Sequence, residues 1–180
     1  MDRKTLNLAC FLSLIGVICA GLIATVHEIT TPIIEERERF EMERSLESFF
    51  PSLARFEEQV IEQEGYPHLM AIYQIYDEGD VNIGDVYELT TKGYGGIITL
   101  LIGYDTNTQT LVKLSYIGSF SETPGFGTRV KEDEFLSQVI EHSAVDMEID
   151  TLSGATITSS AVKGAIEEAN TYFLNQMKEK

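Results

Sequence analysis

Between Leu6 and Val26 the chain runs for 21 residues without a charged side chain, most of them Leu, Ile, Val, Ala or Gly. A helix of that length spans about 32 Å, the hydrocarbon thickness of a bilayer. The run therefore predicts a transmembrane helix over 6–26. A cleavable signal peptide is the competing reading. Its apolar core is usually about 7–15 residues long, shorter than this run, and no small-x-small cleavage site follows Val26. The segment is expected to stay in place as an anchor.

Arg3, Lys4 and the amino terminus precede this segment, and Glu28, Glu35 and Glu36 follow it. The positive-inside rule puts residues 1–5 in the cytoplasm and the remaining roughly 150 residues outside it, in a single-pass protein of the cell (inner) membrane. Both cysteines, Cys10 and Cys19, fall inside the apolar run. The outer part then has no thiol for a disulfide, a metal or an iron–sulfur cluster. His27, His68 and His142 are scattered and show no ligand spacing, so no metal site is expected. The formal net charge of −16 argues against nucleic acid and against an anionic lipid surface as partners.

From Ile33 to Leu53 the chain is charge-dense, with Phe40, Leu46, Phe49, Phe50 and Leu53 among Glu and Arg. This predicts a helix leaving the membrane, kinked or restarted at Pro32 and ended by Pro51. Strand patterns follow at Leu69–Tyr76, Val86–Thr91, Ile97–Tyr104 and Thr110–Ile117, the last two joined by a hairpin turn over Asp105–Gln109. Phe135, Leu136, Val139 and Ile140 mark a short helix over Glu132–His142. Strands bracketed by helices give an α+β class with an antiparallel sheet and flanking helices. The expected organisation is a cytoplasmic terminus 1–5, a membrane helix 6–26, a juxtamembrane helical segment 27–60 and a globular domain 61–180.

Near the C-terminus, Val162, Ile166, Ala169, Phe173 and Met177 recur at helical spacing, and Thr158, Ser159 and Ser160 all suit the N-cap. No Asp or Glu occurs from Ile157 to Ile166, so the positive end of that helix is not neutralised. A bound anion at this helix start would meet free N–H groups and a favourable dipole. Taken alone, this is a glycine turn followed by a capped helix. The stretch Asp150-Thr151-Leu152-Ser153-Gly154-Ala155-Thr156 nevertheless closely resembles the flavinylation motif Asp-x-x-Ser/Thr-Gly-Ala-Ser/Thr of the FMN-binding domain family. Asp150, Ser153, Gly154, Ala155 and Thr156 stand at its fixed positions. The resemblance implies that a flavin transferase joins the phosphate of FMN to the last hydroxyl, that of Thr156. A phosphoester needs an alcohol there, and the small Gly154 and Ala155 leave its approach uncrowded.

Two further stretches are similar to family signatures. Ser121-Glu122-Thr123-Pro124-Gly125-Phe126-Gly127 resembles His-x-Glu-Thr-Pro-Gly-Leu-Gly, with Phe120 at the His position and Phe126 at the Leu position. This implies that Glu122, Thr123, Gly125 and Gly127 lie against the flavin. Pro124-Gly125 suits a tight turn, and Gly127 permits close backbone approach to a planar ligand. Lys92-Gly93-Tyr94-Gly95-Gly96 resembles a Gly-Tyr-Gly-Gly stretch, implying that Tyr94 lies near the isoalloxazine; a glycine turn with one exposed aromatic is the alternative. It lacks the Gly-Lys-Ser/Thr ending of a phosphate-binding loop. No Ser/His/Asp or Cys/His constellation is present, so no independent catalytic residue is expected.

The resemblance implies a membrane-anchored subunit whose covalent FMN relays electrons within an Rnf-type ion-translocating ferredoxin:NAD oxidoreductase complex. Its partners would be the other subunits of that complex and the flavin transferase. An NqrC-like subunit of a sodium-pumping NADH:quinone reductase and a free-standing extracytoplasmic FMN carrier remain alternatives. So does a non-redox tethered binding domain in which the Thr156 motif is only a turn. The topology has its own test. Protease added to right-side-out vesicles should digest the bulk of the chain, and protection of peptides containing Thr156 would overturn the N-in orientation.

Overall fold

The fold is that of a computed structural model describing residues 3–61 and 65–179. Met1 and Asp2 of the expected cytoplasmic terminus, and Lys180 at the other end, lie outside the described residues. The chain divides into two compact units, Met1–Glu41 and Met42–Lys180.

The first unit is helical, part of α1, which runs from Arg3 to Phe49. Within it Phe11–Pro32 is a 22-residue stretch of mean hydropathy 1.9 with none of its surface buried in the protein. Such a helix is long and apolar enough to span a bilayer. Its threonine hydroxyls are satisfied internally: Thr25 Oγ1 donates to the Gly21 carbonyl, Thr30 Oγ1 to that of Val26 and Thr31 Oγ1 to that of His27. Turning back onto the backbone is how Ser and Thr avoid presenting an unpaired hydroxyl to lipid. The helix does not restart at Pro32, which lies inside it. Proline removes one backbone donor there, and the turns on either side carry the helix through.

In the second unit a five-stranded antiparallel sheet runs in chain order: β1 (Arg55–Val60), β2 (Leu69–Tyr76), β3 (Asn82–Lys92), β4 (Ile97–Asp105) and β5 (Leu111–Ile117). The β4–β5 connection is held by Asp105, whose Oδ1 accepts from the amides of Asn107 and Thr108 as Asp does at turns. One face of the sheet presents Leu89, Leu100, Ile102 and Tyr104 to α3 (Thr156–Glu179), which packs Val162, Ala165, Ile166, Ala169 and Phe173 against them. That is the helical stripe read from the sequence, now buried. The buried Tyr104 hydroxyl donates to Asn170 Oδ1 at 2.5 Å, and burial pushes its phenol well up, so it stays a neutral donor.

The opposite face receives the end of α1. Leu46, Phe49 and Phe50 cluster with Ala71, Tyr73, Ile75, Val86 and Leu101. Two strand glycines make room for the rings: a Cβ on Gly103 would fall 2.4 Å from Phe49 Cδ1, and one on Gly84 would fall 2.1 Å from Phe50 Cζ. The helix stops here because Pro51 offers no amide and disfavours helical geometry in Phe50.

Three expectations need correction. The stretch 27–60 is not helical throughout, since its last six residues are β1. The charges of Arg55, Glu57 and Glu58 disguise it, and such charges are how an edge strand resists further pairing. The helix expected over Glu132–His142 is only α2, Asp133–Leu136. Beyond it the chain turns so that Glu141 N–H donates to Leu111 O and Leu111 N–H to His142 O. Pairing with β5 thus overrides helical periodicity, with Glu141 in the left-handed region at φ 65°. Finally, α3 begins at Thr156, ahead of the expected caps.

Gly103→Ala should force Phe49 off the sheet and cost about 1–3 kcal/mol, as overpacking does. This would be read as a lower urea midpoint in detergent. Combining it with Phe49→Ala should cost less than the sum of the two, because they share one contact. An unchanged midpoint for the glycine variant would remove the role assigned to it.

Candidate functional site

The start of α3 is built from a tight turn. Ala155 N–H donates to Leu152 O at 3.0 Å, and Gly154, third in that turn, has φ 80°. Glycine enters this region without steric penalty. Ser159 N–H donates to Ala155 O at 2.9 Å, making Ala155 the cap residue. Alanine has no side-chain oxygen to cap with, so the amides of Thr156, Ile157 and Thr158 have no helical partner. The first turn contains no acidic residue. This end of α3 therefore carries a positive dipole with no acidic side chain of its own, and exposed Thr156 is its first residue; the buried Glu122 carboxylate reaches it through the Thr158 hydroxyl. Among the described residues the Thr156 hydroxyl has no hydrogen-bond partner, whereas those of Thr158 and Ser159 are engaged.

The hydroxyls expected as caps work backwards. Ser159 Oγ accepts from the buried Leu152 N–H at 3.0 Å and donates to Ala155 O at 2.9 Å. Thr158 Oγ1 donates to Glu122 Oε2 at 2.6 Å. Side chains from elsewhere fix the rest of the loop. Arg129 Nη1 donates to Ser153 O at 2.8 Å while its Nη2 holds Glu134. Gln138 Oε1 accepts from Asp150 N–H, and Lys163 Nζ donates to Ile149 O. Arg129, Gln138 and Lys163 were not legible as site residues, because each reaches the loop only through the fold.

Beside this turn lies a cavity of about 470 Å³. Its walls are Tyr94 from the β3–β4 loop, Glu122, Thr123, Phe126 and Gly127 from the Pro–Gly loop, and Gly154–Thr158. The structure thus gathers Tyr94, Glu122, Thr123, Gly127, Gly154, Ala155 and Thr156 around one space. Asp150, Ser153 and Gly125 do not line it. Asp150 precedes the turn and Ser153 turns its carbonyl to Arg129, while Gly125 shapes its loop through a φ of 73°. Tyr94 is 72% exposed, Phe126 57% and Ile157 59%. Three large apolar side chains left in water around one concavity make it the candidate binding site.

Glu122 is 5% exposed. Its Oε1 accepts from Gly95 N–H at 2.8 Å, opposite the Thr158 bond on Oε2. The two aromatic departures from the family loop part company here. Phe126 is a cavity wall, whereas Phe120 packs edge-to-face on Tyr116 at 5.2 Å with Lys131 Nζ 3.6 Å from its ring centroid. Burial pushes the Lys131 amine down, and the ring faces offset part of the lost solvation.

Residues 93–171 match the family model described as the FMN-binding domain, and residues 1–48 match that of the RnfG N-terminal region. The G subunit of the ion-translocating oxidoreductase complex of Methanosarcina acetivorans is 27% identical over 172 residues, covering 90% of either chain. The G subunit of the proton-translocating ferredoxin:NAD(+) oxidoreductase complex of Clostridium ljungdahlii is 28% identical over 176 residues, 92% of this chain and 86% of that one. The crystal structure of Shewanella oneidensis NqrC aligns at 22% identity and a TM-score of 0.49, over 61% of each chain.

Ser159→Ala should leave the Leu152 amide buried and unpaired, at a cost of about 1–3 kcal/mol. The check is chemical unfolding of the variant. A midpoint equal to wild type would mean that the turn is held by other bonds.

Proposed function

Because the chain belongs to the FMN-binding domain family, with an N-terminal region of the RnfG type, we propose that it is the flavoprotein subunit of an Rnf-type ion-translocating oxidoreductase complex. It is anchored by its N-terminal helix, carries FMN as a phosphoester on Thr156, and relays electrons between other subunits. The relatives' names, as G subunits of ion- or proton-translocating complexes, support this over an NqrC-like subunit or a free-standing carrier.

One observation carries the attachment reading: an exposed, unbonded hydroxyl on the first residue of a 24-residue helix whose leading amides are open and whose first turn is free of acid. The residues fit the group. Open amides at a helix start suit a phosphate. A cavity of about 470 Å³ with apolar and aromatic walls suits a planar ring. When bound, FMN supplies the electron-transfer chemistry.

The chain's own residues bind and orient. Thr156 tethers the phosphate end, and the amides of Thr156, Ile157 and Thr158 offset its charge. Tyr94 and Phe126, both cavity walls, would hold the ring, and the Thr123 hydroxyl, which can donate or accept, would be available to it. Asp150 and Ser153, off the cavity, belong to the sequence that the flavin transferase reads, and Gly125 sets the shape of the ring-facing loop. An outward-facing domain gives the covalent tether its purpose, since a flavin lost on that side is not recaptured.

Protein co-produced with a flavin transferase should carry the added mass of one FMN and fluoresce in denaturing gels. Thr156→Ala should abolish both, and Thr156→Ser should keep part of the signal because the alcohol remains. Mapping of the modified peptide to Ser153 or Thr158 would sink the assignment. Co-purification of the other complex subunits from membranes separates the complex from a free-standing carrier.

A further inference from the structure

We infer that Glu122 is a positioning residue whose carboxylate brackets the flavin site together, and that it is not itself a ligand of the ring. This rests on the flavin reading above. Both oxygens are committed inside the protein, Oε1 to Gly95 N–H at 2.8 Å and Oε2 to the Thr158 hydroxyl at 2.6 Å. The remaining directions are closed by backbone. A Cβ on Gly93 would fall 2.3 Å from Oε1, and one on Gly127 would fall 2.3 Å from Oε2. With 5% of its surface exposed, the side chain forms part of the cavity floor and has no free acceptor aimed outward.

Three segments that look independent in the sequence meet at this one group. Gly95 belongs to the loop carrying Tyr94, Glu122 to the loop carrying Thr123 and Phe126, and Thr158 to the turn carrying Thr156. The bracket also accounts for glycines that backbone geometry does not require. Gly93, Gly95 and Gly127 are absent from the positive-φ glycines, which are Gly65, Gly96, Gly118, Gly125 and Gly154 among the described residues. What the three share is contact. Gly93 and Gly127 abut the carboxylate, and a Cβ on Gly95 would fall 2.1 Å from Ser121 O, the residue before Glu122. Their small size is the space in which Glu122 sits.

Bracket and ligand make opposite demands on substitution. Glu122→Gln preserves both bonds, because the amide oxygen accepts from Gly95 and the amide NH2 donates to the Thr158 hydroxyl, which serves equally as an acceptor. It removes only the charge. Thr158→Val and Glu122→Ala break the bracket.

The experiment uses the full-length chain in detergent, with and without co-produced flavin transferase. Hydrogen exchange over 93–96 and over 159–162, where the amides of α3 are first hydrogen-bonded, is read on the unloaded chain, and visible circular dichroism and midpoint potential on the loaded one. Glu122→Gln should match wild type in exchange and dichroism. Thr158→Val should raise exchange in both segments about tenfold, the equivalent of one hydrogen bond, and flatten the flavin dichroism while the covalent mass persists. Glu122→Ala should do the same; if it does not fold, Thr158→Val carries the test alone.

A potential and dichroism that shift in Glu122→Gln but stay at wild type in Thr158→Val would mean that the charge acts on the ring, which overturns the bracket. Unchanged exchange in Thr158→Val would overturn it as well. Wild-type protein without flavin on Thr156 would defeat the attachment reading, and the exchange data would still decide the bracket.

Discussion

Burial of both faces of one five-stranded sheet is the constraint on which the rest of the domain depends. Each face is apolar, so each needs its own cover. The stripe Val162–Phe173 supplies one and the end of α1 supplies the other. The register of α3 on the sheet is therefore set by core packing, and Thr91 Oγ1 donating to Ala161 O ties that register to the end of β3. Once α3 is fixed in this way, its first residue must emerge where the β3–β4 loop leaves the sheet. Thr156 and Tyr94 come together as a consequence of core packing.

On this frame the site is held by side-chain bonds to backbone. Ser159, Arg129, Gln138 and Lys163 each grip a different backbone atom between Ile149 and Ser153, with Gln138 and Lys163 holding the two ends of one peptide group. A loop fixed before a cofactor arrives loses little further entropy when it binds. The same arrangement keeps α3's leading amides open. The hydroxyls of Thr158 and Ser159 are engaged inward, which leaves the dipole and the Thr156 hydroxyl to face whatever the cavity holds.

The two aromatic residues at the His and Leu positions of the Pro–Gly loop signature meet different surroundings. Phe120 is absorbed into a small cluster with Tyr116 and Lys131, away from the cavity. Phe126 instead adds an aromatic wall directly over Gly154, its ring 3.6 Å from where a Cβ there would lie. Only the second is placed to touch what the cavity holds.

By itself the sequence determined the apolar helix, four of the five strands and the α3 stripe, and it singled out Thr156. The elements are written in local periods of neighbouring residues, whereas Thr156 was legible only through a contiguous motif that resembles a family's. The edge strand β1 escaped because its charges mask the alternation, and the α2 region was overextended because pairing with β5 is not a local property. Only the tertiary structure decided that three loops form one cavity and that Asp150, Ser153 and Gly125 stand off it. It likewise moved the cap from a hydroxyl to Ala155, and it turned Glu122 inward onto Gly95 and Thr158. Each of these depends on which distant backbone group a side chain meets, and that is fixed only when both faces of the sheet are covered.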